Sequence, residues 1–160
     1  MKLDEIDKKI LETIQKDGRI TNTKLASIIG ISQPAMLERV RRLEASGVIS
    51  GYTATLDREK IGLGVMVFVA VSLALHQLSS VDKIKKKIVS FPEVLECYQV
   101  SGDDDFILKV ALENMNSYLD FVMNKLSKVA GIRKVKSSFV LDTVKNSNNF
   151  SLESAVGRTV

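Results

Sequence analysis

Apolar residues over the first fifty positions recur at helical spacing, and beyond them the pattern switches to alternation. Leu3, Ile6, Ile10 and Ile14 share one side of a helix that Asp4 can cap and Gly18 can stop. Leu25, Ile28 and Ile29 mark a second helix, from its cap residue Thr21 to Ile29, with Gly30 just past its end. Ser32 can cap a third, which carries Pro34 in its first turn, where a missing N–H costs little, and ends at Gly47. Helices two and three are separated only by "GIS", a short turn with a glycine, which predicts a helix-turn-helix. Ile31 in that turn would plug the angle between them. The plainer alternative is three small helices packed for stability alone.

After Gly47, "VISGYTATL" is β-prone and "DREKIGLG" is a polar connection. Val65 to Leu75 alternates as a strand, with Val67, Val69, Val71, Leu73 and Leu75 on one face and Met66, Phe68 and Ala70 on the other. Val81, Ile84, Ile88 and Phe91 mark a helix whose outer side carries Lys85, Lys86 and Lys87. Val94 to Ser101 and Phe106 to Leu112 form a hairpin around "GDDD". Ser117 and Asp120 make an S-x-x-D cap for a helix through Tyr118, Phe121, Val122, Leu126 and Val129, and Ile132 to Leu141 is the last strand. The order βαββαβ predicts an α+β chain whose second part is a ferredoxin-like split βαβ unit. Both helices of that fold cover one sheet face, so the apolar side carrying Phe68 needs a partner chain: a homodimer or larger. The expected boundaries are 1–56 for the helix-turn-helix with its following strand, 57–64 for a linker, 65–145 for the sheet unit and 146–160 for a polar tail.

Composition narrows this only a little. The 160 residues are 45% hydrophobic and 26% charged, as in a globular protein, and the net charge of +4 fits a polyanionic partner without demanding one. Cys97 is the single cysteine, which points to a reducing compartment; no apolar leader opens the chain, and the run from Leu63 to Leu75 is too short to span a bilayer. The expectation is a soluble cytoplasmic protein without a membrane association.

Candidate chemistry concentrates in two places. On the third helix, at about 100° per residue, Met36, Val40 and Leu43 face the core. Pro34, Glu38 and Arg41 point away, flanked by Ala35 and Arg42, with Arg39 at the core edge. Such a helix suits a major groove: its N-terminal residues, including Ser32 and Gln33, reach base edges while the arginines hold phosphates. Thr21, Asn22 and Lys24 at the start of the second helix can donate to a phosphate, or serve only as its cap. The alternative for the arginines is a solvated face paired with Glu38 and Glu44. Arg41 and Arg42 are the foremost phosphate candidates, whereas Arg39 braces the domain.

The second place is "SGDDD", Ser101 to Asp105. It could take a metal, an amine or nothing beyond solvent; no spaced set of ligands accompanies it, so no metal is expected, and composition alone favours a polar turn. Catalysis has little support. His76 ends a strand, Cys97 sits inside one, and no phosphate-binding loop, dinucleotide fingerprint or zinc spacing occurs.

Several stretches in this order resemble the Lrp/AsnC family of transcription regulators: "LDEIDKKILETIQKDGRITNTKLA", "GISQPAMLERVRRLEASGVISGYTA", "VSGDDDFILKV" and "AGIRKVKSSFVLDTVK". The resemblance covers the chain almost end to end. It implies a winged helix-turn-helix domain joined to a ferredoxin-like effector domain. It further implies dimers that assemble into octamers or similar rings on double-stranded DNA, and no cofactor beyond a small amino acid such as leucine or methionine, bound between dimers. Carried over by motif, Ser101, Gly102, Asp103, Asp105 and Phe106 of the hairpin and Ser137 of the last strand are the effector residues. The chain departs from a frequent family pattern at Val135-Lys136-Ser137, where T-x-T is common, at Ala130, and at Asp104, an added charge that either attracts a basic group or faces solvent. Other functional classes remain at this stage: an architectural DNA-binding protein that senses nothing, and a small-molecule sensor whose first domain binds protein or RNA.

Overall fold

The computed structural model describes residues 2–74 and 81–153. Leu75 and His76 lie outside the described residues. The chain divides into two compact units, one of residues 1–55 with 145–160 and one of residues 56–144.

In the first unit α1 spans Glu5–Lys16, α2 Asn22–Ile29 and α3 Gln33–Ala45. Asp4 caps α1 in a full capping box: its carboxylate accepts from the Asp7 N–H, and the Asp7 carboxylate accepts from the Asp4 N–H. Thr21 and Ser32 cap α2 and α3 by accepting from Lys24 N and Ala35 N. Gly30 ends α2 at φ 83°, a left-handed conformation that a side chain would strain. The turn to α3 is therefore tight, as expected. Ile10, Leu25, Met36 and Leu43 are at most 1% exposed, and Ile31 packs on that cluster as the plug between the helices. Burying each such side chain contributes about 1.5–3 kcal/mol.

Two expectations for this unit change. Residues 48–56, read as β-prone, contain no strand, because no described segment of the chain pairs with them; Tyr52 and Leu56 are exposed there. The tail is more than polar filler. Leu152 packs on the helical core, and the Gln15 amide donates to the Phe150 carbonyl and accepts from the Phe150 N–H. No strand forms in its described part.

In the second unit β1 is Val65–Leu73, α4 Val81–Val89, β2 Val94–Gln99, β3 Phe106–Leu112, α5 Met115–Asp120 and β4 Ile132–Phe139. The strands pair in the order β2-β3-β1-β4, all neighbours antiparallel, which is the ferredoxin-like arrangement. Val67, Val69 and Val71 lie opposite Val110, Leu108 and Phe106, and all six are buried under Ile84, Ile88, Tyr118, Phe121 and Leu126 of the helical layer.

The cap of α5 is a correction. Asn114, not Ser117, caps it, accepting from the Ser117 N–H at 3.0 Å, because the helix begins at Met115 and Ser117 is already inside its first turn. Beyond Asp120 the helix widens into a π-turn, Phe121–Lys125, and closes in a 3₁₀ turn, Leu126–Lys128. The wide turn explains how Phe121 and Leu126, five positions apart, both reach the core.

Candidate functional sites on the third helix and the hairpin

The three inward residues of α3, Met36, Val40 and Leu43, fix its rotation, and the remaining positions follow from that. Ser32, Gln33, Pro34, Glu38 and Arg41 are exposed, and Ala35 is half-buried. On α2, Thr21 and Lys24 are exposed and Asn22 is half-buried. The hydroxyls of Thr21 and Ser32 spend a lone pair on capping but keep their O–H to donate outward.

The arginines separate sharply. Arg39 Nη1 donates to Asp4 Oδ2 and Asp7 Oδ1, each at 2.7 Å, and Arg42 Nη2 donates to both oxygens of Asp7 at 2.8 Å. Asp7 is 1% exposed, so two guanidiniums from α3 converge on a carboxylate buried at the start of α1. The Arg42 side chain is still 49% exposed, and a hollow of about 270 Å³ opens over Ala35, Glu38, Arg39 and Arg42. Among the described residues Arg41 forms no ion pair. Accepting the Asp7 N–H, and after that standing beside Arg39, holds the Asp4 carboxyl below its ordinary range. Asp4 and then Asp7 hold the Arg39 guanidinium above its own. Arg39 thus braces the domain as expected, and Arg42 shares that task. Glu44 bonds Tyr52 instead of an arginine, accepting from its hydroxyl at 3.0 Å.

Sequence reasoning missed Asp7. The available signal was its place on the apolar stripe between Leu3 and Ile10: a carboxylate facing a core implies a cation from another element.

In the hairpin, Gly102 has φ 133°, so the turn itself favours glycine there. Ser101, Gly102 and Asp103 are exposed. Asp105 is tied into the sheet: its carboxylate accepts from Leu73 N at 2.7 Å and its N–H donates to Val71 O at 2.9 Å. Asp104 does meet a basic group. It pairs with Lys136 at 2.6 Å and accepts from the Ser72 hydroxyl at 2.8 Å, and Lys136 above all draws its carboxyl below the ordinary range. The Phe106 side chain is 1% exposed in the core. Ser137 faces the helical layer, where the Tyr118 hydroxyl donates to it. The effector candidates are therefore not gathered at one point in a single chain: the tip is open, Phe106 is internal and Ser137 lies beneath α5.

No groups of three or more metal-ligating side chains occur among the described residues. Burial raises the Cys97 thiol, the reverse of what a nucleophile needs. No described helix is long and apolar enough to cross a membrane.

Residues 3–50 match the family described as winged helix-turn-helix DNA-binding, and residues 66–150 match the Lrp/AsnC ligand binding domain. The chain belongs to the Lrp/AsnC family. Its relatives include a leucine-responsive regulatory protein of Rhizobium meliloti, 39% identical over 91% of this chain and 94% of that protein. A Bkd operon transcriptional regulator of Pseudomonas aeruginosa is 39% identical over 89% and 93%. A Neisseria meningitidis transcriptional regulator, solved with L-methionine, superposes at TM-score 0.91 with 32% identity, covering 94% of this chain and 97% of that one. As an Lrp/AsnC protein the chain is a DNA-binding transcription regulator, and the relatives named are regulators, not enzymes.

Two apolar surfaces lie outside the buried cores. Met115, Leu119 and Met123 line the outer side of α5 and its continuation, 48%, 52% and 65% exposed. On the far side of the sheet Phe68 and Tyr98 are 43% and 54% exposed, beside the Glu96–Lys109 ion pair.

Proposed function

We propose that this regulator works in the cytoplasm as a homo-oligomer that grips double-stranded DNA through α3 and responds to a small amino acid at the hairpin end of its sheet unit. The observation that carries the DNA reading is the exposed side of α3, polar and small at its start, with Arg41 unpaired among the described residues. Gln33, Pro34, Ala35 and Glu38 face base edges in this reading. Arg41 contacts phosphate, joined by Arg42, whose side chain stays half exposed, with Arg39 supporting them. Thr21, Asn22, Lys24 and Ser32 lie where a helix start meets the backbone of the duplex.

Two apolar surfaces support assembly. The sheet face carrying Phe68 and Tyr98 suits a dimer, and the stripe Met115, Leu119, Met123 suits further association toward an octamer or a similar ring. An effector site shared between copies accounts for the scattered candidates. Ser101, Gly102 and Asp103 present the hairpin tip, Asp105 and Phe106 hold its shape, and Ser137 acts from beneath α5. Leucine and methionine lead the candidate effectors. A Mycobacterium tuberculosis feast or famine regulatory protein, 30% identical at TM-score 0.84, was solved with L-methionine, as was the Neisseria protein.

The test has two arms. Binding to a duplex should weaken steeply with salt, and binding that ignores salt excludes phosphate contacts as its basis. A thermal-shift screen of the common amino acids, with wild type and Asp105→Ala, should show stabilisation of wild type alone; no stabilisation by any of them makes this an effector-independent regulator.

A further inference from the structure

Asp4 and Asp7 lie at the start of α1, outside the set of expected DNA contacts, yet their carboxylates hold two of the three arginines of α3. The cluster is electrically balanced: two carboxylates against two guanidiniums. Asp7 has little freedom to leave, being 1% exposed and also accepting from the Asp4 N–H. Asp4 is anchored too, since one oxygen caps α1 while the other meets Arg39. The arginines, in contrast, remain open on one side, toward the hollow over Ala35 and Glu38.

A guanidinium in this state is oriented and largely neutralised. Any phosphate approaching Arg39 or Arg42 also meets the field of the carboxylates behind them. The protein therefore presents less positive charge to an arbitrary duplex than the sequence "RVRR" implies.

We propose that Asp4 and Asp7 are positioning residues for DNA recognition: they restrain Arg39 and Arg42, suppress indiscriminate phosphate binding, and leave Arg41 as the unrestrained contact. This rests on α3 being the helix that meets DNA, and adds to that reading a device that limits non-specific affinity. It also makes an unusual demand. Removing a carboxylate should tighten binding to random DNA, whereas a merely structural role predicts weaker binding or none.

The experiment is fluorescence anisotropy of the full chain on a labelled duplex of random sequence across a series of salt concentrations. Asp4→Asn is the principal variant, because Asn is a good helix cap and keeps a side chain of the same shape. It should steepen the slope of log affinity against log salt by about one for each helix engaged, and tighten binding about tenfold at low salt. Asp7→Asn should act in the same direction; if it does not fold, Asp4→Asn decides the matter. Adding Arg39→Gln to Asp4→Asn should return the slope to that of wild type. An unchanged slope in a folded Asp4→Asn protein, or weaker binding, overturns the proposal. Wild-type binding without salt dependence instead overturns the reading of α3 itself, so the two failures are distinct.

Discussion

The two acidic clusters of this protein use the same residue type for different ends. At the start of α1, Asp4 and Asp7 reach across to another helix and take up guanidiniums. At the hairpin, three adjacent aspartates diverge: Asp103 faces solvent, Asp104 takes Lys136 and a hydroxyl, and Asp105 takes a backbone N–H. The difference lies in burial and in what stands opposite. A carboxylate sealed among helices has to be matched by full charges, while one at a strand end can be satisfied by the backbone. Proximity in sequence therefore says little about shared function.

The largest effect expected from breaking this contrast is at Asp7. Asp7→Ala leaves two arginines without their common acceptor and should cost the helical unit about 2–4 kcal/mol, read from the shift of its urea midpoint. The arginines can turn toward water, which keeps the loss below that of a fully buried pair. Asp105→Ala comes next. It strands the Leu73 N–H and should cost the sheet unit about 1–3 kcal/mol. Asp105→Asn retains an acceptor and should cost much less. If the Ala and Asn variants are equally stable, the backbone role of Asp105 is wrong.

How legible all this was depends on whether a pattern is local. The helix boundaries of the first unit, the inward set Met36, Val40 and Leu43, and the βαββαβ order were readable, because capping and periodicity act within a few residues. The strand expected after Gly47 was not, since a ladder needs a partner that composition cannot supply. The role of the tail was hidden for the same reason: Gln15 and Phe150 are 135 positions apart. Asn114 was overlooked because two plausible caps lay three residues apart. At the sites, the outward face of α3 was legible and the Asp7 cluster was not, being a tertiary bond between helices. The effector residues came from resemblance, and a single chain does not bring them to one point.

A finer separation concerns the arginines. Arg41→Ala should lower the salt slope by about one per helix engaged while changing stability by less than about 0.5 kcal/mol. Arg42→Ala should cost about 1 kcal/mol of stability, discounted for its half-exposed side chain, as well as affinity. Equal stability losses in the two variants would erase the distinction between a restrained and an unrestrained arginine.

The smallest effect compares how two carboxyls, exposed Asp4 and half-buried Asp104, are held down. Both Asp4 and Asp104 titrate below the ordinary aspartate value of about 3.9. A folded value lowered in this way stabilises the protein above the ordinary value, and the contribution disappears as pH falls through the lowered one. Both contributions should therefore survive at pH 5 and be lost only at strongly acid pH. Their causes differ, however. The first influence on Asp4 is the Asp7 N–H, a backbone dipole, whereas for Asp104 it is the Lys136 ammonium. Lys136→Met should thus move the Asp104 midpoint well back toward the ordinary value, leaving only the Ser72 hydroxyl and the weaker field of Lys134 to lower it. Arg39→Met should move the Asp4 midpoint less, because the Asp7 N–H, its foremost cause, stays in place. Carboxyl chemical shifts followed through an acid titration report both midpoints, and equal responses would mean that the helix cap contributes less than the neighbouring cation.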